Sequence, residues 1–299
     1  MKISFCINTF KRPVLLRNLL FHLEKQKLLN NWELEVILVD NDIELQGKPI
    51  YEEFINSNNF KIYYFEQPIK NISLTRNLAV QKAKGELLLF IDDDGHPGED
   101  WIVHMINCLE KFDADGVFGT VLPLFEKGVP KWIETGKYFE RLIQESGQIS
   151  KYKRTGNCLI KANWLSKYKG PFDPKYGLTG GEDADLFEKI QSDGAKLIFC
   201  KEGIVYDYIP IDRANLKWLL IRSFRAGRGF TNIRLKISKS KIVIGILLLI
   251  KSSFYLFLSS TLFLIFLPFK IKRNLWLIKI MSNLGHLAAF TNIEYKEYK

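Results

Sequence analysis

A chain of 299 residues, 47% hydrophobic and 25% charged, is long enough to bury one large core or two modest ones and too apolar to be largely disordered. The formal charge of +10 is uneven: residues 208–299 hold 16 Lys and Arg against 3 Asp and Glu, whereas residues 1–207 hold 27 against 30. A basic tail suits an anionic surface, and its hydrophobic runs favour lipid over nucleic acid, for which no recognised binding module is present.

The four cysteines, Cys6, Cys108, Cys158 and Cys200, are widely spaced and form no C-x-x-C pair. They read as buried thiols of a reducing compartment. The N-terminus enters a strand almost at once, without a basic segment, long apolar stretch and cleavage site, so secretion is not expected and the catalytic part should face the cytoplasm.

Residues 3–7 read as the first strand, followed by a polar turn and a helix opened by Pro13 and running through Leu15, Leu16, Leu19, Leu20 and Leu23. Residues 35–39 form a short, nearly continuous apolar run, as in a buried parallel strand, and stop at Asp40, Asn41 and Asp42. The next strand is expected at 60–65 and the next helix at 73–83, with Ser73 as its N-cap. Residues 86–91 are the clearest strand of the chain and end abruptly in Asp92, Asp93 and Asp94. A helix at 100–112 and a strand at 116–121 continue the alternation. This order predicts an α/β fold with a largely parallel sheet and helices on both faces, its ligand beyond the carboxyl ends of the strands.

Residues 125–156 mix Gly, Pro, charge and aromatics and read as loops and short helices. Residues 157–161 resemble a returning strand. A glycine turn with Gly180 and Gly181 then leads through Glu182 and Asp183 into a helix with Leu186, Phe187 and Ile190. A last strand fits 196–200 or 204–208. Residues 215–228 have the spacing of a basic amphipathic helix.

Three adjacent carboxylates repel one another unless something positive binds them. Pleat alternation would bring Asp92 and Asp94 to one side, with Asp93 pointing elsewhere. A hard divalent cation, Mg²⁺ or Mn²⁺, would relieve that repulsion and bridge to diphosphate oxygens. The plain alternative is a solvated acidic turn or a cap on the next helix. For Asp40 and Asp42 taken alone, a polar turn after a strand is the better reading.

Taken together, Thr9-Phe10-Lys11-Arg12-Pro13, Val39-Asp40-Asn41, Ser73-Leu74-Thr75-Arg76-Asn77, Phe90-Ile91-Asp92-Asp93-Asp94, Gly156-Asn157 and Gly180-Gly181-Glu182-Asp183 resemble, in order and spacing, the successive motifs of family 2 glycosyltransferases. The resemblance covers residues 1–228. It implies a GT-A fold, with a nucleotide-sugar-binding part at 1–121 and an acceptor-side part at 122–228. It further implies that Thr9, Phe10 and Arg12 line the nucleoside pocket and that Asp40, with Asp42 nearby, meets the base. Arg76 would close the pocket or meet the diphosphate. Asp92, Asp93 and Asp94 correspond to the ribose- and metal-binding motif, with Asp94 and Asp92 as cation ligands. Asp183 would be the general base, oriented by Glu182. Many relatives carry a His after the last core strand; here Asp207 stands at that place, able to ligate a cation or to pair with Arg213.

The implied reaction is transfer of a single sugar from a nucleotide-sugar, with a lean towards UDP, with inversion at the anomeric carbon. A nucleotidyltransferase and a non-catalytic sugar-binding protein of the same fold are the rival readings. Residues 229–299 form the tail. Residues 242–269 carry one charge, Lys251; the central Lys251-Ser252-Ser253 interrupts the apolar run and, with Pro268, complicates a single crossing. Basic residues flank both ends, which suggests a shallow hairpin or interfacial helices on the cytoplasmic face of a bacterial inner membrane, monotopic or re-entrant. A lipid-linked saccharide acceptor would account for such a tail. The sequence leaves homo-oligomerisation open.

Overall fold

The structure, a computed structural model, describes residues 1–29 and 31–291; the end of the expected tail, 292–299, lies outside the described residues. By contact density the described residues divide into two compact units, one made of Met1–Pro123 with Arg141–Tyr208, the other of Leu124–Glu140 with residues 209–291.

The first unit is built on an eight-stranded mixed sheet. Its strands are β1 (Lys2–Thr9), β2 (Glu33–Asp40), β3 (Lys61–Glu66), β4 (Leu87–Ile91), β5 (Gly95–Pro97), β6 (Gly116–Phe125), β7 (Asn157–Lys161) and β8 (Leu197–Ile209), in the order β3-β2-β1-β4-β7-β6-β8-β5. The first four are mutually parallel, while β7 runs antiparallel to both β4 and β6, and β5 antiparallel to β8. The expectation of a largely parallel sheet therefore holds for one half only. Alternating strands and helices dictate parallel pairing up to β4; the short returns after it pair antiparallel. The two candidate last strands are one continuous β8.

Helices α1 (Pro13–Glu24), α2 (Lys48–Phe54), α3 (Ile72–Lys82), α4 (Trp101–Lys111), α6 (Ala162–Ser166) and α7 (Glu182–Ser192) belong to this unit. Strand alternation sorts the core. Ile3, Phe5 and Ile7 of β1 join Val36, Leu38, Leu89 and the buried leucines of α1, with Trp101 and Met105 of α4, on one face. Cys6, Ile37, Val39, Leu88 and Phe90 meet Ala79 of α3 and Leu186, Phe187 and Ile190 of α7 on the other. All four cysteines are free and buried. The N-cap of α3 is Asn71, whose side chain accepts from Leu74 N at 3.1 Å, and not Ser73, which lies inside the helix and buried.

In the second unit, α5 (Lys131–Thr135) packs through Ile133 with Val129, Phe139, Ile209 and Leu219. Three long helices follow: α8 (Leu216–Ile237), α9 (Lys241–Ile265) and α10 (Lys270–Ala288), with α10 packed along both α8 and α9. Helix α9 is continuous through Lys251, Ser252 and Ser253, so these residues do not break the apolar run into a hairpin. Ser252 is buried, and Ser259 and Ser260 return their hydroxyls to helix carbonyls four residues back, which removes the polar cost of carrying serine in such a helix. Among the described residues α9 is the one helix long and apolar enough to cross a membrane.

Candidate active site

The strand ends gather the acidic residues. Cys6 lies opposite Phe90 in the β1–β4 register, so Thr9, three residues further, arrives beside Asp93. Thr9 Oγ1 donates to Asp93 Oδ2 at 3.0 Å, and Arg12 Nη1 donates to Asp93 Oδ1 at 2.9 Å and to Asp94 Oδ2 at 3.1 Å. The pleat does not extend past Ile91. Gly95 N closes a turn on Asp92 O at 2.9 Å, so Asp93 and Asp94, not Asp92 and Asp94, share a cation from the protein. Both are buried, whereas the Asp92 side chain is 51% exposed.

Arg76, buried on α3, reaches two separate segments: Nη2 donates to Asp92 Oδ1 at 3.3 Å, and Nη1 to Glu182 Oε1. Gly180 and Gly181, with φ of 73° and 99°, take the left-handed turn that aims the start of α7 at this guanidinium. The next residue, Asp183, accepts from Arg154 Nη1 at 3.0 Å and from Ala184 N at 2.7 Å, both on Oδ1.

These groups act on one another electrostatically. Desolvation by the surrounding protein, although half of the Asp92 side chain stays exposed, joins the charges of Asp94 and Asp183 in pushing its carboxyl above the usual range against the pull of Arg76. Burial pushes Asp93 to about 7, with Arg12 opposing and Asp94 adding. Burial also acts to raise Asp183, but Arg154, Arg76 and the Ala184 N–H outweigh it and hold this carboxyl below the usual range. Asp183 therefore stands ionised at neutral pH, with the hydrogen bonds it accepts on one oxygen.

Asp40 and Asp42 form a second cluster at the end of β2. Asp40 is fully buried and accepts from Asp42 N at 2.9 Å, Gly47 N at 2.8 Å and the Tyr64 hydroxyl at 3.0 Å, so its carboxylate shapes the loop after β2. Asp42 accepts from Glu44 N and lies 3.8 Å from Lys11 Nζ. The Phe10 ring carries Lys70 Nζ at 4.8 Å. Asn41, which has no assigned role in the sequence reading, donates to Gln67 O and Ile69 O and accepts from Asn71 N, fixing the approach to α3.

Asp207 lies opposite Gly95 in the β5–β8 pairing, beside Tyr208, whose N donates to Asp94 O. Its carboxylate accepts from Arg141 Nη2 at 2.6 Å, so ligation of a cation by Asp207 requires that ion pair to open. Among the described residues no three His, Cys, Asp or Glu side chains converge to hold a metal ion on their own. The donors that fit are fewer: the exposed Asp92, whose Oδ2 faces the bare Cα of Gly156, where a Cβ would come within 2.8 Å, and the neighbouring Asp94. Two carboxylates plus substrate phosphate oxygens and water suit Mg²⁺, which seldom uses an all-protein cage.

Arg154 and Arg141 escape sequence reasoning because no spacing links them to the acids they meet. Asn157 was visible only as part of a motif. It is buried and accepts from Trp101 Nε1 while donating to Thr120 O and Gly203 O, tying β6, β7 and β8 beneath the site.

Residues 4–168 match the family description "Glycosyl transferase family 2". The succinoglycan biosynthesis protein ExoM of Rhizobium meliloti is 30% identical over 230 residues, covering 76% of this chain and 73% of that protein. A glucosyl-dolichyl phosphate glucuronosyltransferase of Haloferax volcanii is 23% identical over 206 residues, covering 65% of each chain. The crystal structure of Staphylococcus aureus TarS 1–349 in complex with UDP-GlcNAc superposes with a TM-score of 0.55 at 15% identity, covering 96% of this chain and 91% of that one, a likeness of fold.

Proposed function

The chain belongs to glycosyltransferase family 2, and on that premise we propose that it transfers one sugar per encounter from a UDP-sugar to a hydroxyl of a lipid-linked glycan, inverting the anomeric configuration. That sugar transfer from a nucleotide-sugar is its general activity follows from the family and sets aside the nucleotidyltransferase and non-catalytic readings. The observation that carries the finer reading is the Arg76 guanidinium joining Asp92 at the end of β4 to Glu182 at the start of α7, with Asp183 next in the chain.

In this reading Asp183 Oδ2 takes the proton of the acceptor hydroxyl as that oxygen attacks the anomeric carbon. Arg154 and Ala184 N, both on Oδ1, fix the carboxylate so that its other oxygen meets the acceptor. Glu182 holds Arg76 and thereby the spacing between the α7 start and the acidic turn. Arg12 and Thr9 keep Asp93 and Asp94 in place and set the nucleoside side of the pocket. Asp92 and Asp94 would hold Mg²⁺ or Mn²⁺, which when bound offsets negative charge on the leaving diphosphate.

A uridine donor is supported by the UDP-GlcNAc complex of the fold neighbour, a lipid-linked acceptor by the dolichyl phosphate substrate in the name of the archaeal relative, and polysaccharide synthesis by ExoM. Helix α9 supports monotopic attachment at the cytoplasmic membrane face: Ile242, Ile250, Phe254 and Phe257 are exposed on it, and basic residues stand at both ends. The deciding experiment offers a panel of UDP- and GDP-sugars with synthetic lipid-linked acceptors and determines product mass and anomeric configuration. UDP release with an inverted product is expected; a retained configuration excludes the single-displacement scheme.

A further inference from the structure

Helices α8, α9 and α10 contain twelve Lys and Arg residues and no Asp or Glu. The bundle is therefore strongly cationic, a surface that attracts anions. Most of them lie on α8 or near helix ends, but Lys251 sits in the middle of α9, ten residues from the nearest other charge on that helix. A charge placed in an apolar run that meets a membrane is costly unless a polar or anionic group accompanies it.

Lys251, exposed to solvent, borders an open cavity of about 340 Å³ between the three helices, together with Phe230 of α8, Ser252 and Tyr255 of α9, and Asn283 and His286 of α10. That volume falls within the roughly 300–1,000 Å³ of small-ligand sites. The polar residues recur at matched helical spacing, 251, 252 and 255 on α9 against 282, 283 and 286 on α10, so each helix turns one polar stripe to the same space. His286 Nδ1 lies 2.9 Å from the hydroxyl of the fully buried Thr231, which pins the ring. Burial and the nearby Lys251 ammonium hold this imidazole below its ordinary value, which places the two groups within electrostatic reach.

We propose that this cavity binds the anionic phosphate head of a membrane lipid, with Lys251 as counter-ion and the hydroxyl, amide and imidazole groups as hydrogen-bond partners. The chemistry calls for an amphiphile. The cationic, hydroxyl-lined space stands on the helix that also exposes Ile250, Phe254 and Phe257, so a head in the cavity leaves acyl or polyprenyl chains against an apolar face. The inference rests on the membrane-docking part of the proposed function and adds a specific site to it.

The test uses the full chain and vesicles of phosphatidylcholine, with and without phosphatidic acid, in high salt so that diffuse attraction is screened. Phosphatidic acid should tighten binding of the unaltered protein, and Lys251→Met should weaken that binding about tenfold, while Lys279→Met, a surface cation of α10, changes it less than about twofold. Asn283→Leu, which fills the cavity from α10, should reproduce Lys251→Met. Equal losses for Lys251→Met and Lys279→Met would show diffuse charge and overturn the site. So would inorganic phosphate binding that depends on Lys251 when vesicle binding does not, because the ligand would then be free phosphate. Binding to neutral vesicles and of UDP are read alongside. Loss of neutral-vesicle binding in the unaltered protein refutes membrane docking itself, whereas its retention with no effect of Lys251→Met refutes the cavity alone.

Discussion

Arg154 donates to Asp183 on the same carboxylate oxygen that accepts the Ala184 N–H, 3.0 and 2.7 Å away respectively. The cation keeps Asp183 ionised despite its burial, so the proposed base is deprotonated well below neutral pH. Removing the cation in Arg154→Gln should raise the Asp183 pKa and move the acid limb of the kcat/KM profile to higher pH. Asp183→Asn should abolish transfer while leaving donor affinity intact. Nearly full turnover by the Asn variant, with donor binding followed by calorimetry, removes Asp183 from the base role.

The acidic turn bears on cation dependence. Asp94 lies between Arg12 and the neighbouring Asp92, and the repulsion felt at Asp92 is what a divalent ion would relieve. Asp94→Ala should weaken Mn²⁺-dependent UDP binding by about tenfold or more, roughly 1.4 kcal/mol, with little change in metal-free binding. Calorimetric titration of UDP with and without Mn²⁺ measures this. Identical metal enhancement in the variant and the unaltered protein assigns the ion elsewhere.

Asp93 makes a separate prediction about stability. It titrates at about 7 in the folded chain, because burial disfavours its charge, against roughly 4 when unfolded. Between those values the folded state keeps a proton that the unfolded state has lost, so stability falls as pH rises through this window and levels off above it. In chelator, Asp93→Asn should flatten that part of the curve and exceed the unaltered protein at pH 8 by on the order of a few kcal/mol. Thermal midpoints from pH 4.5 to 8.5 provide the readout; parallel curves for the two proteins would refute it.

The parts of this fold that were legible in the sequence are those set by local pattern. Leu16, Leu19, Leu20 and Leu23 mark the buried face of α1, and the apolar run before Asp92 marks β4, because each depends on periodicity within one element. Gly180 and Gly181 marked the turn before α7 because glycine alone takes such backbone freely, and the structure shows that turn to be left-handed. What was not legible depends on distant partners. The grouping of Asp93 with Asp94 follows from a turn closed by Gly95 N and from Arg12 on another segment, and neither is encoded in the Asp triplet. Arg154 finds Asp183 across 29 residues with no repeat or motif to signal it. Lys251, Ser252 and Ser253 read as a break in the apolar tail, whereas packing on α10 and serine back-bonding keep α9 whole.

The close approach of α8 and α10 depends on two glycines. A Cβ on Gly285 would lie 1.9 Å from Phe224 O, and one on Gly227 would lie 2.1 Å from Ser282 O, so each helix backbone fills the space a side chain would need. The atoms met are backbone and cannot swing away, so relief requires the helices to separate. Gly285→Val should therefore destabilise the second unit by about 1–3 kcal/mol or more, and it should open the contact between Thr231 and His286, which lies one residue on. A Gly285→Ala variant, with a smaller overlap to relieve, should lose less. Limited proteolysis is the measure: cleavage between α8 and α10 should speed up in the order native, Ala, Val. Equal cleavage rates in all three would mean that the two helices do not pack backbone to backbone.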